Sequence, residues 1–307
     1  MRPIDAKINR CLIASWLGVF FLSLIFFTIN YLAFHYHGND YFPSVTFSIG
    51  LSLILIWAGL KLQFQRVTVL EHIVKETLIY FLVMSVIAFF TNAIQLTPFK
   101  PIDHAILRFE SYFSINLVKI IAWTAHHDYF YTILDFTYKT IAVQMGYIPL
   151  LIIIGGQYIY AREFFCLLLI SALIGFTFYY FFPTMAPASV LHSAYFTTEQ
   201  HNTGIKFSEI HHYLLPKSSD GGLIALPSFH AIWAWYCVYL VRCWPWAFAL
   251  LLAFNGLLIL SCVLLGWHYV SDLLGSLLII LLTQYIYYYA TRKKLTINPF
   301  GDPARMR

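Results

Sequence analysis

The sequence predicts an all-α fold, a polytopic transmembrane helical bundle of about eight spans. Three observations carry that reading. Of the 307 residues, 60% are hydrophobic and only 11% are charged, where soluble domains carry about 25% charge. The mean hydropathy is +0.71. Apolar runs recur along the chain at lengths near the ~20 residues that cross the hydrocarbon core. The 22 tyrosines and 28 phenylalanines suit aromatic belts at two interfaces.

The first run, Cys11 to Phe34, is long enough to span and too long for the h-region of a signal peptide, so no cleaved leader is expected. Further runs cover 45–64, 77–96, 133–155, 164–182, 227–243, 246–265 and 270–290. The run at 133–155 carries Asp135 and Lys139 in its first turns, which reads as an interfacial start with snorkelling side chains. The five cysteines, Cys11, Cys166, Cys237, Cys243 and Cys262, lie in or beside apolar runs. None forms a C-x-x-C pair, and they read as buried small hydrophobes.

Positive charge orients the bundle. Arg2, Lys7 and Arg10 precede the first run, and Lys61, Arg66 and Lys75 follow the second. Arg162 and Arg242 sit in short turns, and Arg292, Lys293, Lys294, Arg305 and Arg307 follow the last run. With eight spans these all fall on one side, which the positive-inside rule makes cytoplasmic together with both termini. His230 and His268 then lie at the opposite face. Two longer segments share that face. Residues 97–132 are spaced for an interfacial amphipathic helix. Residues 183–226, rich in Pro and Gly, form the longest polar stretch and lead straight into His230, as expected of a functional lid or wall. The chain shows no internal repeat or low-complexity tract. Its net charge of +5 is accounted for by cytoplasmic loops, and no nucleic-acid-binding motif is present.

Two short strings carry chemistry. One is Leu226-Pro227-Ser228-Phe229-His230-Ala231, the other Gly266-Trp267-His268-Tyr269-Val270-Ser271-Asp272. Ionisable residues at a membrane boundary are costly and are functional candidates. Asp272 follows His268 by four residues, one turn if the segment is helical. A neutral imidazole whose other nitrogen is held by a carboxylate is a competent nucleophile towards phosphorus. His230 could then protonate the leaving oxygen. Ser228 and the N–H groups opening the sixth span would face the phosphate. H-x-x-x-D could equally supply two ligands of a metal site. Most of the other ten histidines, which include the pairs His126-His127 and His211-His212, read as ordinary interfacial residues.

These strings resemble the second and third signature motifs of the type 2 phosphatidic acid phosphatase superfamily. The second motif, P-S-G-H, is similar to Pro227-Ser228-Phe229-His230. The third, S-R-x5-H-x3-D, is similar to Ser261, Cys262, His268 and Asp272 at matching spacing. The Phe in place of Gly, the stretch from Pro101 to Gln144 and the element FPTMAPA at 182–188 resemble the branch of inositol phosphorylceramide synthases and their bacterial relatives. The resemblance covers roughly 97–290, a catalytic membrane domain with a six-helix phosphatase-like core. It leaves 1–96 as additional transmembrane helices and 291–307 as a basic tail. It implies His268 as the nucleophile of a phosphohistidine intermediate, Asp272 as its orienting partner and His230 as the general acid. It also implies a lipid substrate, no metal, no cofactor, and a site on the periplasmic face of a bacterial inner membrane.

Two departures stand out. The Arg of the third motif is Cys262, and the first motif, K-x6-R-P, is absent as written. Those cations normally hold the phosphate. Lys139 with Tyr138, or Lys217 in the long loop, are the candidates to replace them. Water as acceptor would give a phosphatase, and a lipid or sugar alcohol a transferase. A transporter or lipid-binding protein with two interfacial histidines is the competing class. It is distinguished by whether His230 and His268 meet.

Overall fold

The computed structural model describes residues 6–36, 45–64, 68–218, 220–222 and 224–291. Arg2, Arg66 and the basic tail 292–307 fall outside them. In chain order the helices are α1 (Ala6–Phe34), α2 (Thr46–Gln63), α3 (Val69–Ala93), α4 (Asp103–Tyr112), α5 (Leu117–Ala125), α6 (Asp128–Lys139) and α7 (Ile141–Ile154). Then follow α8 (Tyr158–Phe181), α9 (Pro187–Val190), α10 (Thr198–His211), α11 (Phe229–Leu240), α12 (Pro245–Leu264) and α13 (Val270–Thr291). The described residues contain no strand. Six helices, α1, α2, α3, α8, α12 and α13, are long and apolar enough to cross a membrane. They mark a multi-pass membrane protein.

The fourth and sixth expected spans take other forms. Residues 133–155 are divided between α6 and α7, which meet at 49°. The break falls at Thr140, whose hydroxyl donates to the Thr137 carbonyl at 2.6 Å. Such local side-chain bonds compete with the helical ladder. The run at 227–243 is a 12-residue helix, α11, closed by a 3-10 turn at Val241–Cys243. At 1.5 Å per residue that helix is about 18 Å long, short of a full crossing. Its start is held inside the protein. Phe229 packs so closely on Gly175 of α8 that a β-carbon there would come within 2.8 Å of the ring.

Helices α1, α3 and α8 run in parallel. Trp16 Nε1 donates to the Leu82 carbonyl at 3.1 Å, and Asn30 Nδ2 to the Ala93 carbonyl at 2.7 Å. The rings of Phe26 and Tyr180 lie 4.2 Å apart. At the shared N-terminal ends, Arg162 grips Glu76 through Nε at 2.8 Å and Nη2 at 2.7 Å. Arg162, expected in a short turn, is instead a buried residue in the first turns of α8, and this bidentate pair balances its charge. The N-terminal helices therefore share one continuous core with α8 and the helices after it. In the other half of the bundle, Gln144 and Asn255 exchange amide bonds at 2.8 and 2.9 Å, and Asn255 also donates to the Ala234 carbonyl at 2.8 Å. That cluster joins α7, α11 and α12, where interhelical hydrogen bonds add to packing.

The expected single interfacial helix at 97–132 is two helices, α4 and α5, followed by the start of α6. The long polar stretch is also structured. Thr197 and Gln200 form a reciprocal capping box at the start of α10. Gln200 also reaches the Leu265 carbonyl at the end of α12 at 2.8 Å.

Candidate functional site

The site is built where the start of α11, the turn between α12 and α13, the end of α6 and the stretch after α8 converge. The α12–α13 turn depends on Gly266, at φ +82°, where a β-carbon would collide with Ile121 at 2.5 Å. Only glycine takes that conformation at low cost. The turn presents Trp267 and His268 ahead of α13, so His268 is not helical. Asp272 sits in the first turn of the helix. Its Oδ2 lies 3.1 Å from His268 Nδ1 and accepts the Tyr269 N–H at 3.0 Å. The second contact is half of a capping box, an acidic side chain at the third position reaching back to the cap. Asp272 is fully buried and His268 is 4% exposed. Burial pushes the His268 imidazole down to about 4. The ring is therefore neutral at neutral pH.

His230, in the first turn of α11, faces His268 with ring centroids 6.0 Å apart. Tyr138, the penultimate residue of α6, stacks on His230 at 4.5 Å and on Trp267 at 5.3 Å. The bend between α6 and α7 thus delivers Tyr138 to the imidazoles. These four rings line a cavity of about 20 Å³, closed further by Thr203 and Ala225. That is room for about one water.

Ser228 is fully buried and caps α11, its Oγ accepting the Ala231 N–H at 3.4 Å. It does not line the cavity. Its carbonyl accepts from Ser276 Oγ at 3.0 Å, fixing α11 against α13. Lys139 points away and pairs with Asp135 at 2.7 Å, its side chain 61% exposed. Lys217 is exposed, with its backbone N–H on Glu209 Oε2 at 2.9 Å. Of the four expected binding residues, the structure brings only Tyr138 to the imidazoles.

Sequence reasoning passed over several residues around the site. Lys206, on α10 between the wall residues Thr203 and Phe207, is fully buried. Its ammonium donates to the carbonyls of Asp220 and, at 3.0 Å, Gly221. Burial pushes its pKa down to about 8, and the Asp220 charge acts in the other direction. Asp103 and Glu110 of α4 are 1% and 2% exposed. Asp103 accepts the Met185 N–H at 3.0 and 3.1 Å and the Tyr269 hydroxyl at 3.0 Å. Burial raises its pKa, and these donors partly offset the rise. Glu110 accepts the Ser271 N–H at 2.7 Å and its hydroxyl at 2.9 Å. Their spacing, D-x6-E across two turns of an interfacial helix, was the available signal.

A nucleophile-like imidazole with a carboxylate on one nitrogen, faced by a second imidazole, can exchange an acyl or phosphoryl group and shuttle its proton. A family model described as PAP2 superfamily matches residues 104–286. No curated protein and no solved structure matches the chain.

Proposed function

Because the chain belongs to the PAP2 superfamily, we propose that it is an integral-membrane phosphatase or phosphotransferase acting on a lipid phosphate or phosphodiester through a phosphohistidine at His268. The observation that carries this reading is the meeting of three groups. Asp272 is 3.1 Å from His268 Nδ1, and His230 is 6.0 Å across the cavity. A transporter has no evident use for that constellation.

In the proposed reaction, Asp272 holds the proton on Nδ1 and leaves Nε2 as the attacking nitrogen. An Nε2–P bond forms as the bond from phosphorus to the leaving oxygen breaks, and His230 gives that oxygen a proton. An acceptor hydroxyl then loses its proton to His230 and attacks phosphorus, releasing His268. Asp272 stabilises the charge that develops on the ring.

The strings P-S-F-H and G-W-H-Y-V-S-D support the narrower reading of a transferase. Its acceptor would be a lipid alcohol, as in the inositol-phosphorylceramide-synthase-like branch. The asymmetry of Lys and Arg supports a site on the non-cytoplasmic face of the membrane. The test is purified protein presented with phospholipids and lipid pyrophosphates, with and without an alcohol acceptor, following phosphate and new lipid together. Turnover that His268→Ala abolishes is the expected result. Turnover unchanged in that variant overturns the mechanism. New lipid formed in preference to free phosphate identifies the transferase.

A further inference from the structure

We infer that Asp103 and Glu110, two turns apart on one face of α4, are positioning residues that hold His268 and Asp272 in reactive geometry. This inference rests on the functional reading above.

The need for such a device is visible in the backbone. His268 lies in the turn ahead of α13, and its separation from Asp272 is not set by helical geometry. Something outside the helix must fix it. Tyr269 is the bridge. Its N–H binds Asp272 Oδ2 at 3.0 Å, and its hydroxyl binds Asp103 Oδ1 at 3.0 Å. Asp103, Tyr269, Asp272 and His268 thus form one chain of contacts. Asp103 also holds Met185 N–H, one residue before the cavity-lining Ala186. Glu110 acts on the other side of the pair. Ser271 lies between His268 and Asp272, and Glu110 takes both its N–H and its hydroxyl, at 2.7 and 2.9 Å. That N–H has no partner within the helix, and a carboxylate suits a helix N-terminus. Burying two carboxylates is costly unless donors satisfy them. Here every donor named belongs to the catalytic turn or to the segment that walls the cavity.

The test uses full-length protein in lipid nanodiscs. The variants are Tyr269→Phe, Asp103→Asn, their double variant, Glu110→Gln and Glu110→Ala. Turnover is followed alongside the pH dependence of carbethoxylation of His268 by diethyl pyrocarbonate, with His268→Ala as the blank. Tyr269→Phe and Asp103→Asn should each lower kcat about 10–100-fold with KM moved less than about threefold. The double variant should be no worse than the weaker single, because both remove one link. Both should shift the pH midpoint of His268 labelling. Glu110→Gln, which keeps an acceptor, should rescue most of what Glu110→Ala loses. Full kcat in Tyr269→Phe, losses that multiply in the double variant, or an unmoved midpoint overturns the inference. If Asp103→Asn fails to fold, Tyr269→Phe, which deletes one oxygen, decides alone. If the wild-type protein turns over no lipid phosphate, the functional reading fails. The labelling midpoint then still decides whether Asp103 and Tyr269 position His268.

Discussion

His268 Nδ1 stands 3.1 Å from Asp272 Oδ2, while the other oxygen of that carboxylate, Oδ1, is buried with no hydrogen-bond partner among the described residues. Asp272 is therefore committed through one oxygen to the imidazole and the Tyr269 N–H. Replacing it by Asn keeps the shape and can turn a donor towards Nδ1, which reverses the tautomer. Asp272→Asn should lower kcat by about 10²–10⁴-fold, the scale seen when a triad carboxylate is replaced in this way. Thermal unfolding should show a folded protein. An Asp272→Asn variant with wild-type kcat would remove the orienting role.

Truncating the imidazoles should have unequal effects. His268→Ala should leave no turnover, since the atom that bonds phosphorus is gone. His230→Ala should cost about 10²–10⁴-fold, the usual worth of general acid catalysis. The loss should shrink for substrates whose leaving group needs no proton, such as an aryl phosphate ester. Equal losses on both substrate types would argue against His230 as the acid.

The pH dependence follows from burial of His268. Its pKa falls from 6.5 to about 4 in the folded protein. Between those values the unfolded chain binds more protons than the folded one, so stability rises with pH through that window. The contribution is complete above the unfolded value and is lost as pH falls. Wild-type protein should lose thermal stability below about pH 6.5 more steeply than His268→Gln, whose side chain does not titrate. Turnover should retain its neutral nucleophile until pH approaches about 4. Parallel unfolding curves for the two proteins would show that His268 does not set the acid limb.

Chelators should leave activity intact. The described residues bring together no group of three His, Cys, Asp or Glu side chains that could hold a metal ion. Loss of turnover in EDTA, restored by one divalent ion, would favour the metal reading of H-x-x-x-D.

Cys262→Arg should destabilise rather than restore a phosphate clamp. Cys262 is fully buried, with Sγ 3.5 Å from the Leu258 carbonyl and 4.0 Å from Ser228 Oγ. Its own carbonyl accepts the His268 N–H at 2.9 Å. An arginine side chain is far larger than the thiol it replaces, and a charge buried in that packing costs several kcal/mol unless it is well paired. A lowered Tm with reduced turnover is expected. A stable variant with a lower KM would place Cys262 on the phosphate.

Much of the site was legible in the chain because it is local. His268 and Asp272 lie four residues apart, Ser228 and His230 two apart, and each string abuts an apolar run. Short spacing keeps such residues near one another, and the contacts around them set the geometry. The residues that sequence reasoning missed are distant in the chain. Asp103 meets Tyr269 across 166 positions and Met185 across 82. Nothing local in PIDHAILRFE says which turn those carboxylates hold. The choice of Lys139 shows the opposite error. Its position next to Tyr138 made it a neighbour in sequence, but successive helical residues face different sides. Tyr138 goes to the imidazoles and Lys139 pairs with Asp135.

By itself the sequence determined the all-α class, because composition and the length of apolar runs report directly on burial in hydrocarbon. It also singled out His230, His268 and Asp272 as candidates, because each sits in a short string at the edge of an apolar run. Only the tertiary structure decided that the α6–α7 run is bent, that α11 is short, and that the two histidines face each other within 6.0 Å. The tertiary structure also drew buried carboxylates from α4 to the α12–α13 turn and set Lys206 on backbone carbonyls rather than in solvent. Those outcomes depend on packing between elements far apart in the chain. The hydrogen-bond partners and the shape of a cavity come into being only when those elements meet.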